Sequence, residues 1–505
     1  MKLSKQVRQA SAGILLLILG ALLSFDSSRG YSEKRYTVDA ASCRMHVLAL
    51  QRADLPQTSD AGSVVLFHGI AANSLIMQYL ARSFAELGLR VFVPDLPGHG
   101  HSPGPFSPEQ AESCSASLLR GLAARGLILP ERTILAGHSM GGAIALRIAE
   151  KFRPAGVIAI SPAPMQAAHG VIHENLLFNG VPHIVPNTRI LVGQLEPAGL
   201  VDNASDLASQ SHDPTVQFTV IPWKTHVSML FSPTVAMYSQ AWAALVLSLP
   251  ETTRLPLRAN LFGCLFGLVG ILLVAGPFLR DLLGKKPHPD STTSPATLCW
   301  RAVLEVIIIS LVVVHLLHYW QPLRFIHLFE GDYLASFFLI AGLLLLALHF
   351  AAARGQIRVP LGLLFGSAVA GLLLHFLVTS WFELTTTSAW LTLQRWARFP
   401  LFLFAAFLFL FALELLAGPV ANGRTRYLFW FLLVVLAWLS LAFGVLYLES
   451  GEILLVLLSP YFALQLLLSG LGIQLVRRLT GSATAAALFG AILLAGFCLV
   501  LFPVS

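Results

Sequence analysis

The chain has 505 residues, of which 56% are hydrophobic and only 12% charged, about half of the roughly 25% charge usual in soluble proteins. That excludes a disordered chain, which needs low hydrophobicity and high net charge. The 39 Gly, 28 Pro and five Cys exclude a collagen-like chain and a disulfide-stapled scaffold. The net charge of +7 does not mark a nucleic-acid binder, because most basic residues flank long apolar runs, as in a membrane protein.

Lys2, Lys5 and Arg8 precede a first apolar run, Gly13 to Phe25. The flank Leu23-Ser24-Phe25-Asp26-Ser27-Ser28 holds no A-x-A-like cleavage site, which favours a retained signal anchor, with a cleaved signal peptide, suggested by the short apolar core, as the alternative. From about Ser32 to Pro250 the chain mixes strands, helical patterns, turns and charges as a soluble domain does. Val64 to Gly69 is a short apolar run ending at Gly, as a buried parallel strand would be. Helical spacing follows from Leu75 to Leu87. A strand from Leu89 to Pro94 runs into Asp95-Leu96-Pro97-Gly98-His99-Gly100-His101-Ser102. A helix near 109–125 precedes the strand Thr133 to Ala136, and Gly137-His138-Ser139-Met140-Gly141-Gly142 opens a helix to about Phe152. Further strands are expected at Gly156–Ser161, Arg189–Gly193 and Val216–Pro222. This alternation predicts a mostly parallel sheet covered on both faces.

Gly137 to Gly141 fits G-x-S-x-G in the strand–turn–helix context that motif requires. The glycines let Ser139 sit on a sharp, strained turn, with its hydroxyl at a helix start whose dipole favours developing negative charge. A hydroxyl is a weak nucleophile and needs a base held by a third group. His226, in Trp223-Lys224-Thr225-His226-Val227 beyond the last strand, is the candidate base. Glu196, beyond the strand Arg189–Gly193, is the candidate acid, with Asp202 as its substitute.

With these pieces in place, residues from about Tyr36 to Leu249 resemble the α/β-hydrolase superfamily. They are similar to its monoacylglycerol-lipase, lysophospholipase and prolyl-aminopeptidase-like branches. The resemblance rests on His68-Gly69, the Asp95–Ser102 segment, the Gly137–Gly142 elbow and the Glu196 and His226 loops. It implies an α/β-hydrolase fold and an oxyanion hole made by the backbone N–H groups of Met140 and Ile70. Two departures accompany it. Glu stands where most relatives have Asp, and only Pro162 to Thr188 separates the strands that usually flank a cap, so the cap is expected to be minimal. Ser at the elbow argues against dehalogenase and epoxide-hydrolase chemistry, which use a carboxylate nucleophile.

Cys43 and Cys114 fall in this domain, where a disulfide is permitted on the extracytoplasmic side, although two cysteines in one domain more often stay unpaired. Eight apolar runs near the length of a membrane span follow: 259–279, 302–320, 333–350, 359–381, 399–418, 428–447, 453–475 and 483–503. Lys and Arg are retained in cytoplasmic loops. With the N-terminus inside, inner loops carry Arg280, Lys285, Lys286, Arg301, Arg354, Arg358, Arg424, Arg426, Arg477 and Arg478, while outer loops between spans carry Arg324, Arg395 and Arg398. The expected division is a signal-anchor helix at 1–28, an extracytoplasmic domain at 29–250, a linker at 251–258 and an all-α polytopic membrane domain at 259–505.

Within the spans, Glu305, His349 and Glu414 lie near the cytoplasmic ends. His315, His318 and His375 lie near the outer ends, with His327 in the next outer loop. Such residues are functional candidates by default, but positions near an interface let them reach water or headgroups, and no metal or cofactor is expected. Cys264, Cys299 and Cys498 read as small apolar fillers. Trp300, Trp320, Trp381, Trp430, Tyr333 and Tyr427 fit an interfacial belt.

The expectation is a multi-pass protein of a bacterial inner or plasma membrane whose outer domain hydrolyses a small-molecule or lipid ester, with no nucleic-acid partner. An amide or peptide hydrolase, and a non-catalytic module regulating a transporter, are the alternatives. A cysteine or glycosylation reporter near Asp60 should report the extracytoplasmic side and one near Lys285 the cytoplasm. Both on one side would contradict the nine-span topology.

Overall fold

Short runs of Val, Ile and Leu bounded by Gly and Pro pair into an eight-stranded sheet of order β1-β2-β4-β3-β5-β6-β7-β8. The computed structural model describes residues 4–505 except 41–42, 55–61, 166–177, 179, 251, 253, 285–295, 419–422 and 449–451. Lys2, Lys285, Lys286, Asp60, residues 166–177 and 179 of the expected cap and two residues of the 251–258 linker thus lie outside the described residues.

The chain opens with helix α1 (Lys5–Ser28) and an antiparallel hairpin, β1 (Tyr31–Ala40) and β2 (Cys43–Arg52). Then follow β3 (Ser63–Phe67), α2 (Gln78–Glu86), β4 (Arg90–Pro94), α3 (Pro108–Ala124), β5 (Thr133–His138), α4 (Met140–Phe152), β6 (Gly156–Ile160), β7 (Thr188–Gly193), α5 (Ala198–Ser209), β8 (Gln217–Ile221) and α6 (Pro233–Leu247). β3 to β8 run parallel, and β2 joins β4 antiparallel. Alternate strand residues face opposite sides. Val64, Leu66, Val91, Val93, Ile134, Ala136, Ile158 and Ile160 share one buried cluster with Leu80 and Phe84 of α2 and Val235 and Ala243 of α6. The intervening Val65, Phe67, Leu135 and Val157 are also fully buried, which gives these strands their unbroken apolar reading. This is the α/β-hydrolase architecture expected from the sequence.

The hairpin was not legible in advance. β1 carries Glu33, Lys34 and Arg35 and forms the sheet edge, where charge blunts pairing with other chains. It changes one expectation: Cys43 and Cys114 are paired, with Cα atoms 5.5 Å apart and 71 residues between them in sequence. The bridge ties the start of β2 to α3, an approach that exists only because the hairpin runs beside that helix.

The remaining helices are α7 (Ala259–Leu283), α8 (Ala296–Tyr319), α9 (Gly331–Leu348), α10 (Phe350–Ile357), α11 (Leu361–Thr385), α12 (Leu393–Leu416), α13 (Gly423–Tyr447), α14 (Ile453–Leu457), α15 (Ser459–Thr480) and α16 (Ala483–Leu501). Among the described residues, nine helices including α1 are long and apolar enough to cross a membrane. Each predicted run falls on one of them. The helices extend into polar ends such as Arg301 and Arg395, and the 453–475 run is broken before Ser459-Pro460, a proline position that starts a new helix.

The chain forms two compact units. One contains 1–19, 265–381 and 390–502; the other contains 20–264, 382–389 and 503–505. In the helical unit, Glu414 is buried and accepts hydrogen bonds from Arg426 and Gln474, each at 2.8 Å. Glu305 pairs with Arg301 and His349 at 2.7 Å. His315 and His318 both meet the Tyr319 ring, and His375 packs against Gly496. Among the described residues, no group of three or more His, Cys, Asp or Glu is placed to hold a metal ion.

Reducing the Cys43–Cys114 bridge, or replacing Cys114 by Ser, should destabilise the α/β unit by about 2–4 kcal/mol. A Tm measured with and without reductant checks this, and an unchanged Tm would contradict a bridge formed in the protein.

Candidate active site

A parallel sheet binds ligands where successive connections diverge, beyond the carboxyl ends of its strands. Here β3 leads to β4 on one side while β5 leads to β6, β7 and β8 on the other. Phe67 and Gly137 are register partners at that divergence. The loops beginning at His68 and Ser139 therefore leave the sheet side by side.

Ser139 has φ 55° and ψ −121° and caps α4, a conformation costly for a residue with a Cβ. Its N–H donates to the Ile160 carbonyl at 2.9 Å, and its own carbonyl accepts from Ala143 at 3.1 Å and Ala163 at 2.9 Å. Packing leaves no alternative. A Cβ on Gly137 would lie 2.1 Å from the Gly141 carbonyl oxygen, and one on Gly141 2.3 Å from that of Phe67. Met140 is the first residue of α4, so its N–H has no partner within the helix.

The loop after β3 runs against this elbow. A Cβ on Gly69 would sit 3.0 Å from Ser139 Cβ and 3.1 Å from His138 Nδ1. The buried His68 ring accepts the Leu96 N–H at Nε2 (2.9 Å), which makes Nδ1 the donor to the Gly69 carbonyl (2.7 Å). Burial pushes the His68 imidazole down, in keeping with that neutral tautomer. With the Gly69 carbonyl held by His68, the trans peptide points the Ile70 N–H the opposite way. Asp95 supports the same loop by accepting from Ser74 N–H at 2.7 Å and His101 N–H at 2.9 Å. Burial works to raise the Asp95 carboxyl, but His101, the nearby His68 and these N–H donors hold it at about 2.

On the other side, His226 Nδ1 lies 2.8 Å from Glu196 Oε2. The Glu196 side chain is fully buried, and its Oε1 accepts from Gly193 N–H at 2.7 Å and Ser161 Oγ at 2.5 Å. A carboxylate at Nδ1 fixes the proton there and leaves the Nε2 lone pair free to act as a base. Asp202 is exposed on α5, so the structure brings Glu196, and not Asp202, to the imidazole. Among the described residues no hydrogen bond joins Ser139 Oγ to the His226 ring; in free enzymes such contacts are often long and close when substrate binds.

Two residues here escaped sequence reasoning. His138 donates from Nε2 to the His226 carbonyl at 2.9 Å, with ring centroids 4.7 Å apart. Burial, then the neighbouring His226, push the His138 imidazole well below the ordinary range, so it is a neutral brace for the base loop. Ser161 follows β6 with φ 45° and anchors the acid. Its only sequence signal was its place after a strand end.

Residues 58–232 match the family model described as serine aminopeptidase, S33. The chain is 32% identical over 98 residues to Esterase YjfP of Escherichia coli strain K12, covering 17% of this chain and 38% of that protein. It is 30% identical over 164 residues to a monoacylglycerol lipase of Mycolicibacterium smegmatis, covering 32% and 55%. It thus spans about two fifths and just over half of the length of these curated relatives. Among solved structures it is similar to an alpha-beta serine hydrolase homologue from Coxiella burnetii, with 16% identity, 43% of this chain and 96% of that chain covered, and TM-score 0.33. A thermophilic esterase from Thermogutta terrifontis gives 19%, 42%, 99% and 0.33. The family and curated matches support an esterase- or lipase-like serine hydrolase.

The acid is testable directly. Glu196→Gln should lower kcat by at least about 10²-fold, since it loses the tautomer-fixing acceptor, while Asp202→Asn should leave it unchanged. A greater loss in Asp202→Asn would reverse the assignment.

Proposed function

We propose that the chain is a membrane-anchored serine hydrolase that cleaves carboxylic esters, lipid or lipid-like, with Ser139 as nucleophile, His226 as base and Glu196 as its orienting acid. The observation that carries this is the buried Glu196 holding His226 Nδ1 beside a strained serine elbow. Ser139 Oγ attacks the acyl carbonyl as His226 Nε2 takes its proton. The oxyanion is received by the Met140 and Ile70 N–H groups. Collapse breaks the ester C–O bond, and His226 returns the proton to the leaving alcohol. Water, activated by the same imidazole, then releases the acid and frees Ser139. Preorganised donors of this kind are worth about 3 kcal/mol each.

An apolar substrate suits the rim. Trp223 is 78% exposed and Leu195 52% exposed, on the loops that bear the base and the acid, and Leu195 N–H donates to the Lys224 carbonyl at 2.9 Å. The name of the Mycolicibacterium relative, a monoacylglycerol lipase, points the same way.

Three observations support an extracytoplasmic position for the domain at 29–250. Charge is asymmetric between alternate loops. The Cys43–Cys114 bridge fits an oxidising compartment. In addition, residues 382–389 and 503–505, which pack within the α/β unit, are segments that the charge rule puts on the outer side.

The family model's description favours one second reading, cleavage of an aminoacyl amide. Full-length protein assayed on a p-nitrophenyl ester and an aminoacyl p-nitroanilide separates the two. Ester turnover should dominate, and Ser139→Ala should lose at least about 10³-fold of kcat. Dominant anilide turnover would favour the second reading. Full ester turnover by Ser139→Ala would contradict both.

A further inference from the structure

Residues 382–389 connect α11 to α12, yet they pack in the α/β unit. There Thr387 and Ser388 meet the loop that runs from His68 to Leu75. Thr386 and Thr387 N–H groups donate to the Phe382 carbonyl, at 2.8 and 3.0 Å, folding the segment into a turn. Ala389 N–H donates to Glu383 Oε2 at 2.8 Å, and the Thr385 carbonyl accepts from Asn260 Nδ2 at 3.3 Å. The turn is therefore pinned at both ends.

Its centre grips Asn73, which is 5% exposed. Asn73 Nδ2 donates to Thr387 Oγ1 at 2.7 Å and to the Ser388 carbonyl at 3.3 Å, while Asn73 Oδ1 accepts from Ser388 N–H at 3.1 Å and from Leu75 N–H at 3.2 Å. The amide thus meets the Ser388 backbone in both directions, as one strand residue meets another. A second tie lies alongside. His101 sits between Asp95 (Nδ1–Oδ2 3.8 Å) and Glu383 (Nε2–Oε1 3.5 Å), with Ser388 Oγ 3.5 Å from Nδ1. Asp95 in turn holds Ser74 N–H. Both ties converge on Asn73 and Ser74, three and four residues beyond Ile70. Between them lies Ala71, with φ 58°, a conformation that a residue with a Cβ holds only under constraint.

We propose that Thr387 and Ser388 are positioning residues for hydrolysis: through Asn73 they hold the loop whose Ile70 N–H receives the oxyanion. This rests on the serine-hydrolase reading above. The active site would then be completed by a turn lying more than 300 residues away in sequence, between two apolar helices. An oxyanion donor acts in the transition state, so loosening its loop lowers kcat and spares KM.

The test uses the full-length chain and a short soluble p-nitrophenyl ester, with Ser139→Ala as control. Asn73→Ala should lower kcat about 10- to 100-fold, less than the roughly 10²- to 10³-fold of losing one oxyanion donor outright, with KM little changed. Thr387→Val, which keeps the shape and loses the acceptor, should lower kcat in the same way, and Thr387→Ser should recover most of that loss. Deuterium exchange, which needs no catalysis, should rise at 69–75 in Asn73→Ala and Thr387→Val. The proposal is overturned by unchanged kcat and unchanged exchange in both variants. It is equally overturned by Thr387→Ser being as damaging as Thr387→Val, or by kcat falling only in proportion to folded protein. Activity surviving in Ser139→Ala would instead remove the hydrolase reading, an outcome distinct from either.

Discussion

A carboxylate with no access to water governs the site. Glu196 can stay buried only because donors from three places converge on it: Ser161 after β6, Gly193 at the end of β7, and His226 after β8. An ion so placed would cost several kcal/mol if left unpaired. The same contacts that satisfy it therefore fix the loops of three neighbouring strands relative to one another. The imidazole gains its tautomer and orientation from that arrangement. His138 braces the same loop from the nucleophile's side, so base and elbow are braced against each other by backbone as well as side chains.

The second organising feature is that the α/β unit is not continuous in sequence. Residues 382–389 and 503–505 belong to it although they lie among or beyond the apolar helices. Val504 pairs with the loop around Gly98, donating to its carbonyl at 3.3 Å, and its own carbonyl accepts from Phe106 at 2.5 Å. The basic-residue distribution assigns these segments to the side on which it also puts the domain.

Legibility in the sequence followed the strength of local signals. Parallel strands announced themselves as apolar runs because both of their faces are covered, and the elbow did so because close backbone approach permits only glycine at 137 and 141. The apolar helices were legible from the length and composition of their apolar runs, although their polar ends extend beyond those runs. What escaped is non-local or amphipathic. The β1–β2 hairpin is a charged edge, and the Cys43–Cys114 bridge depended on that hairpin. His138, Ser161 and Asn73 act through side-chain contacts with partners 88, 35 and 314 or more residues away, which local patterns do not reveal. Glu196 was legible as the acid from its place just beyond a strand, with Asp202 as substitute, because a loop after a strand end is a local signal.

The most direct measurement of the central claim is mass-spectrometric mapping of a fluorophosphonate adduct on the intact chain. A nucleophile activated by Glu196 and His226 should carry the adduct on Ser139 alone, and folded His226→Ala protein should lose it. Folded wild-type protein that takes up no adduct, or that carries it elsewhere with Ser139 unmodified, would contradict the assignment of a working serine nucleophile to this elbow.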